Sequence, residues 1–153
     1  MKSLSIYIHW PFCESKCPYC DFNSHVIKNI DVKKWINSYK IELEFFIKYL
    51  IPSSFRKRTL RSIFFGGGTP SLMSYKIVEE LIDFCLKNFV FSNNIEITLE
   101  ANPKSISKDK LKKFESIGIN RVSLGVQSFN DLELKFLGRD HSAYDAIKSI
   151  NDT

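Results

Sequence analysis

The sequence has no long hydrophobic run, and nothing in it approaches the roughly 18 to 20 apolar residues that a membrane span needs. It has little that reads as an export signal, because Met1-Lys2-Ser3 leads into a short strand-like stretch rather than an apolar signal core. Low-complexity stretches and linkers are missing too, so the 153 residues are expected to form one unit. Clustered charge is also lacking. Lys and Arg together number 22 against 17 Asp and Glu, a net charge of +5, but most of the cations are Lys and they are scattered. A nucleic-acid footprint would gather Arg and Lys on one face, so no nucleic-acid partner is expected. These absences leave a cytoplasmic protein without a transmembrane segment as the expectation.

Cysteine is scarce but unevenly placed. Of the four, Cys13, Cys17 and Cys20 lie within eight residues, and Cys85 stands alone. Three clustered thiols cannot pair off as disulfides, and a chain without an export signal works where thiols stay reduced. The pattern Cys13-Glu14-Ser15-Lys16-Cys17-Pro18-Tyr19-Cys20 is a C-x3-C-x2-C spacing that points to a metal or a cluster. Ordinary cubane clusters take four thiolates, one per iron, and zinc also takes four ligands. Three thiolates on a cubane leave one iron open to chelation by an amine and a carboxylate carried together. The alternative is a structural zinc completed by His9 or His25.

The elements follow from periodicity. Leu4 to His9 alternates as a strand, and Asp31 caps a helix whose apolar positions Val32, Trp35, Ile36, Tyr39, Leu43, Phe46, Ile47 and Leu50 keep one face until Pro52. A second strand, Leu60 to Phe65, is broken by Gly66-Gly67-Gly68-Thr69-Pro70, and Ser74 caps a helix carrying Ile77, Val78, Leu81, Cys85 and Phe89 on one stripe. Cys85 is thereby read as a buried, inert thiol. Ile95 to Glu100 is a third strand, Ser107 caps a helix that stops at Gly118, and Arg121 to Val126 is a fourth strand. Asn130 with Glu133 reads as a capping box for a short helix ending at Gly138, and Ser142 with Asp145 opens one more helix.

Strands alternating with helices specify an α/β fold with a parallel sheet, here four βα units. An eight-stranded barrel takes about 250 residues, so this is half of one, and a flavodoxin-like doubly wound sheet is the alternative architecture at this length. The cysteine loop, the glycine run, Glu100 and Gln127 each fall just past the C-terminal end of a successive predicted strand. That rim is where parallel α/β proteins build their sites.

Four motifs carry a family resemblance: YIHWPFCESKCPYCDFNSH, FFGGGTPS, TLEANP and RVSLGVQSFN. The first resembles the C-x3-C-x-aromatic-C signature of the radical S-adenosylmethionine superfamily, and the set in this order is similar to the oxygen-independent coproporphyrinogen III oxidase group. The resemblance implies a partial TIM barrel holding a [4Fe-4S] cluster on Cys13, Cys17 and Cys20. It implies S-adenosyl-L-methionine (SAM) held by the main chain around Gly67 and Gly68, by Thr69, Glu100, Gln127 and Arg139, and by the family positions Tyr7 and Tyr19. Within the group, the coproporphyrinogen dehydrogenases carry a further Cys where this chain has Phe22, and they begin with a long N-terminal extension. Both departures point to the HemW-type haem-chaperone branch, with haem and haem-accepting proteins as implied partners and no oxidation of coproporphyrinogen expected; the dehydrogenase is the alternative. Haem binding in the family is attributed to a region outside these residues. Residues 1–153 are thus expected to be the N-terminal part of the core domain, with the remaining barrel and a C-terminal domain beyond it. Self-association is expected through the open edge of the fourth strand and through an apolar interior left open to water.

Overall fold

The structure is a computed structural model and describes residues 3–51 and 59–153. Its strands are β1 (Leu4–Trp10), β2 (Phe12–Cys13), β3 (His25–Val26), β4 (Thr59–Gly67), β5 (Val90–Ala101) and β6 (Arg121–Leu124). Its helices are α1 (Val32–Phe45), α2 (Tyr75–Asn88), α3 (Lys108–Ser116), α4 (Asp131–Phe136) and α5 (Ala143–Asp152). The main sheet has the order β1-β4-β5-β6, every pair parallel. Each new strand is laid beside the last without reversal. A doubly wound sheet reverses at a switch point, whereas a barrel winds one way, so the order is that of a barrel fragment.

Period two along the strands separates two faces of this sheet. Ile8 and Trp10, Ile63 and Phe65, and Ile97 and Leu99 are buried against Ile36 and Tyr39 of α1, Ile77, Val78, Leu81 and Cys85 of α2, and Phe114 of α3. The opposite, open face alternates Ser5, Tyr7 and His9 with Ser62 and Phe64, then Glu96, Thr98 and Glu100, then Arg121 and Ser123. Its groups satisfy one another: Ser62 donates to Ser5 at 2.8 Å, and Arg121 donates to Glu96 and Thr98, each at 3.2 Å. The expected apolar interior is therefore corrected. Apart from Tyr7 and Phe64 these positions are small or polar, so exposing this face carries little hydrophobic cost.

Several boundaries also shift. β4 runs through Gly66 and Gly67 instead of breaking before them, because Gly66 pairs with His9 and Gly67 with Trp10, and a parallel ladder needs only backbone. β5 begins five residues before Ile95, across an irregular register between Leu60 and Ser62 of its neighbour. β6 stops at Leu124, leaving Val126 outside the strand. The apolar stripe predicted to Leu50 goes out of phase after Phe45, where Phe46–Leu50 widens into a right-handed π-helical turn and leaves Phe46 and Leu50 exposed; Pro52, read as its stop, lies outside the described residues. Ser74 occupies the start of α2 without a side-chain cap, and Glu133 bonds Ser128 rather than closing a capping box on Asn130. The Ser142–Asp145 capping box forms as read.

Candidate functional site

The first segment of the site is fixed by aromatic packing. Trp10 at the end of β1 and Phe12 in β2 stand edge to face at 5.0 Å, and Trp35 of α1 meets Phe12 at 5.1 Å and 90°. Tyr39, one turn further along α1, donates to the His9 carbonyl at 2.6 Å, and burial pushes its phenol well above the ordinary value. The chain is thus held on both sides just before Cys13. It is held again at the far end, where β2 pairs with β3 and His25 N–H donates to the Pro11 carbonyl at 2.7 Å. Between these anchors residues 14–24 form the cysteine loop, turned sharply at Pro18-Tyr19 by a bond from Cys20 N–H to the Cys17 carbonyl at 3.0 Å.

The second segment is the glycine run at the end of β4. Gly67 has φ +116°, and a Cβ there would sit 2.7 Å from the Trp10 carbonyl oxygen; at Gly68 it would sit 2.6 Å from the Phe12 oxygen and 3.0 Å from Cys13 Sγ. Glycine is required because the strand end presses on the start of the cysteine loop. Its amides are already engaged: Gly67 N–H donates to Glu100 Oε2 at 3.1 Å, Gly68 N–H to the Trp10 carbonyl at 2.7 Å and Thr69 N–H to the Phe12 carbonyl at 2.8 Å. What the run can offer is carbonyl oxygen and the Thr69 hydroxyl, which accept hydrogen bonds and suit an ammonium group rather than an anion.

The third and fourth segments follow β5 and β6. Glu100 braces the glycine run, and Asn102 caps the short turn Pro103–Ser105. Gly125 N–H donates to the Ala101 carbonyl at 2.8 Å, and Gln127 turns with φ 71°. Arg139 arrives from the loop before α5, donating through Nη2 to the Gly125 carbonyl at 2.6 Å and through Nη1 to Cys17 Sγ and Tyr19 Oη, both at 3.4 Å. Burial raises the Tyr19 phenol, with Arg139 opposing.

All four segments line one cavity of about 490 Å³. Cys13, Cys17, Cys20, Tyr19, Gly67, Gly68, Thr69, Glu100, Gln127 and Arg139 are brought together there. Tyr7 is not. It stands 60% exposed on the open face, stacked on Phe64 at 5.9 Å, with its hydroxyl 3.4 Å from His9 Nδ1. Cys85 also lies apart, fully buried on the core face of α2, and burial pushes its thiol up to about 12. Residues that sequence reasoning passed over also line the cavity, among them Ser24, Asn102, Ser105 and Asp140. Asn102 alone had a signal, the Asn-Pro pair after a strand.

The donor set distinguishes between the two metal readings. Among the described residues, no three His, Cys, Asp or Glu side chains converge as a single metal ion requires. His9 Nε2 is engaged with the Asn23 carbonyl at 2.9 Å and His25 is exposed, and neither joins the thiols in a converged donor set among the described residues. Zinc needs its ligand atoms within about 2.3 Å of one point, whereas a cubane places each thiolate on a different iron and tolerates wider spacing. Three half-buried thiols around a cavity, with a guanidinium beside one sulfur, fit the cluster. Two further atoms await a partner in residues that line it: Ser24 Oγ and Arg139 Nε are buried without a hydrogen bond.

Residues 7–152 match the Radical SAM superfamily. This chain belongs to it. It is 46% identical over 152 residues to the haem chaperone HemW of Haemophilus influenzae and 40% identical over 150 residues to that of Escherichia coli, covering 99% and 97% of this chain. A bovine mitochondrial protein, radical S-adenosyl methionine domain-containing protein 1, is 39% identical over 146 residues. The chain spans only 39%, 38% and 32% of those relatives. Among solved structures, the E. coli coproporphyrinogen III oxidase HemN, a radical SAM enzyme, superposes with a TM-score of 0.78 at 31% identity over 98% of this chain and 34% of that one. The fold is thus the expected barrel fragment. No helix among the described residues is long and apolar enough to cross a membrane.

Proposed function

We propose that residues 1–153 are the cluster- and SAM-binding part of a HemW-type haem chaperone, working where thiols stay reduced, in the cytoplasm for a bacterial chain. The observation that carries this is the convergence of three free thiols, the glycine run, Glu100, Gln127 and Arg139 on one cavity at the carboxyl ends of four parallel strands. In the proposed site Cys13, Cys17 and Cys20 hold a [4Fe-4S] cluster. The carbonyls of the glycine run and Thr69 take the SAM amino group, Arg139 takes its carboxylate, and Tyr19, Glu100 and Gln127 wall the remainder. When bound, the cluster supplies one-electron reduction of the SAM sulfonium. Tyr7 lines the approach from the open face rather than the cavity itself.

Haem carriage and delivery to acceptor proteins are proposed for the whole protein of which this chain spans the cluster-binding part, and pairing of the β6 edge with a second copy is proposed for the chain alone. Phe22 supports the carrier over the dehydrogenase, because it lines the cavity where the dehydrogenases carry a further Cys. The test gives the reconstituted chain coproporphyrinogen III, SAM and a reductant, and titrates haem onto a version extended to the length of its relatives. No protoporphyrinogen and stoichiometric haem uptake are expected. Conversion of coproporphyrinogen by this chain would overturn the carrier reading.

A further inference from the structure

The loop between α4 and α5 touches each segment of the cavity beyond the glycine run. Gly138, at φ +66°, lies against the cysteine loop so closely that a Cβ would be 2.6 Å from Pro18 Cδ. Arg139 holds the Gly125 carbonyl and approaches Cys17, and Asp140 Oδ1 accepts from Asn102 Nδ2 at 3.2 Å. The last member, His141, is 4% exposed and does not line the cavity. Its Nε2 lies 2.9 Å from the Val126 carbonyl oxygen, and since a carbonyl only accepts, the ring proton is assigned to Nε2.

The carbonyl it holds belongs to an unusual turn. Gln127 is the one non-glycine residue with positive φ among the described residues, and Ser128 N–H donates back to the Val126 carbonyl at 3.0 Å across it. This is a γ-turn of the rare, strained kind, which persists only where its surroundings hold it. β6 has already ended at Leu124, so no ladder supports the turn. Three neighbouring side chains do: Arg139 on the Gly125 carbonyl, His141 on the next one, and Glu133, which accepts from the Ser128 hydroxyl.

We propose that His141 is a positioning residue of the cofactor cavity: its Nε2–H clamps the Val126 carbonyl and so sets the turn from which Gln127 faces the ligand. The role in ligand binding rests on the reading that the cavity receives SAM, whereas the clamp itself does not.

The test compares the wild-type chain with His141→Ala and His141→Gln, since Gln keeps a side-chain N–H donor. Amide hydrogen exchange is followed first without a cluster. Exchange at residues 125–128 should rise about tenfold in His141→Ala, the scale of one part-buried hydrogen bond, with β4 and β5 unchanged and His141→Gln near wild type. SAM affinity of the reconstituted chain should then fall about tenfold in His141→Ala at unchanged iron and sulfide content, and recover in His141→Gln. Wild-type exchange and affinity in His141→Ala would overturn the proposal. If His141→Ala fails to fold, His141→Gln decides: slow exchange at residues 125–128 supports the clamp and fast exchange in a folded chain refutes it. A wild-type chain that takes up a cluster but no SAM would sink the functional reading while the exchange data still judge His141.

Discussion

The two faces of the sheet are built from the same strands by opposite rules. On the helix side Leu60, Ile63, Phe65, Leu81, Leu99 and Phe114 are fully buried and need no partner but one another. At the carboxyl rim and on the open face the residues are glycine, carboxylate, guanidinium, thiol and imidazole, the backbone takes positive φ at Gly67 and Gln127, and buried atoms such as Ser24 Oγ lack partners. The helix side supplies stability and the rim stores unsatisfied chemistry. Substitutions should therefore separate cleanly into those that cost fold and those that cost ligand.

The largest effect on stability is expected from Phe65→Ala, which removes a fully buried ring between β4 and its helices and should cost about 3–5 kcal/mol in chemical denaturation. Cys17→Ala, on the rim, should leave the denaturation midpoint nearly unchanged and remove the cluster. Equal destabilisation by the two would break the comparison. Next is Gly67→Ala, which imposes a Cβ 2.7 Å from backbone oxygen at φ +116° and should cost about 1–3 kcal/mol while displacing the start of the cysteine loop. Spectroscopy on that variant should show both lost stability and a poorly assembled cluster, because Gly67 belongs to both regions.

Smaller effects sharpen the contrast. Burial holds the Cys85 thiol up to about 12, so mass spectrometry after alkylation of the native chain should find Cys13, Cys17 and Cys20 modified and Cys85 protected. Cys85→Ala should cost about 1 kcal/mol and no iron. The smallest effect concerns acid. Burial, with Arg139 nearby, holds the His141 imidazole below its ordinary value, against the Val126 bond and the carboxylates of Asp140 and Asp145. The folded chain stays neutral at His141 while the unfolded chain takes up a proton, so this contribution to stability falls as pH drops below about 6.5. His141→Gln should flatten that part of the profile, and an unchanged profile would contradict it.

Much of this was readable from residue order. The motifs after successive strands landed on one rim because side-chain period and βα alternation dictate it, and the C-x3-C-x2-C spacing placed three thiols in one loop. Other features left no local trace. β4 crosses two glycines because its neighbour supplies the ladder, a fact about β1 rather than about Gly66. The open face is polar because Ser62 meets Ser5 and Arg121 meets Glu96 across strands that are distant in sequence. The glycine-run amides are engaged with Trp10, Phe12 and Glu100, partners on other segments that nothing next to the glycines announces. His141 carried no signal at all, since its partner is a backbone oxygen fifteen residues earlier.

The central claim is that Cys13, Cys17 and Cys20 together form a three-thiolate cluster site. It is tested most directly by anaerobic reconstitution with iron and sulfide, reading metal content and the visible spectrum of the wild-type chain, of each single Cys→Ala variant and of Cys85→Ala. The expected result is a brown, oxygen-sensitive protein with about four irons and four sulfides per chain, lost in each of the three loop variants and kept in Cys85→Ala. A colourless protein holding one tightly bound zinc per chain, or a cluster that survives loss of a loop cysteine, would contradict it.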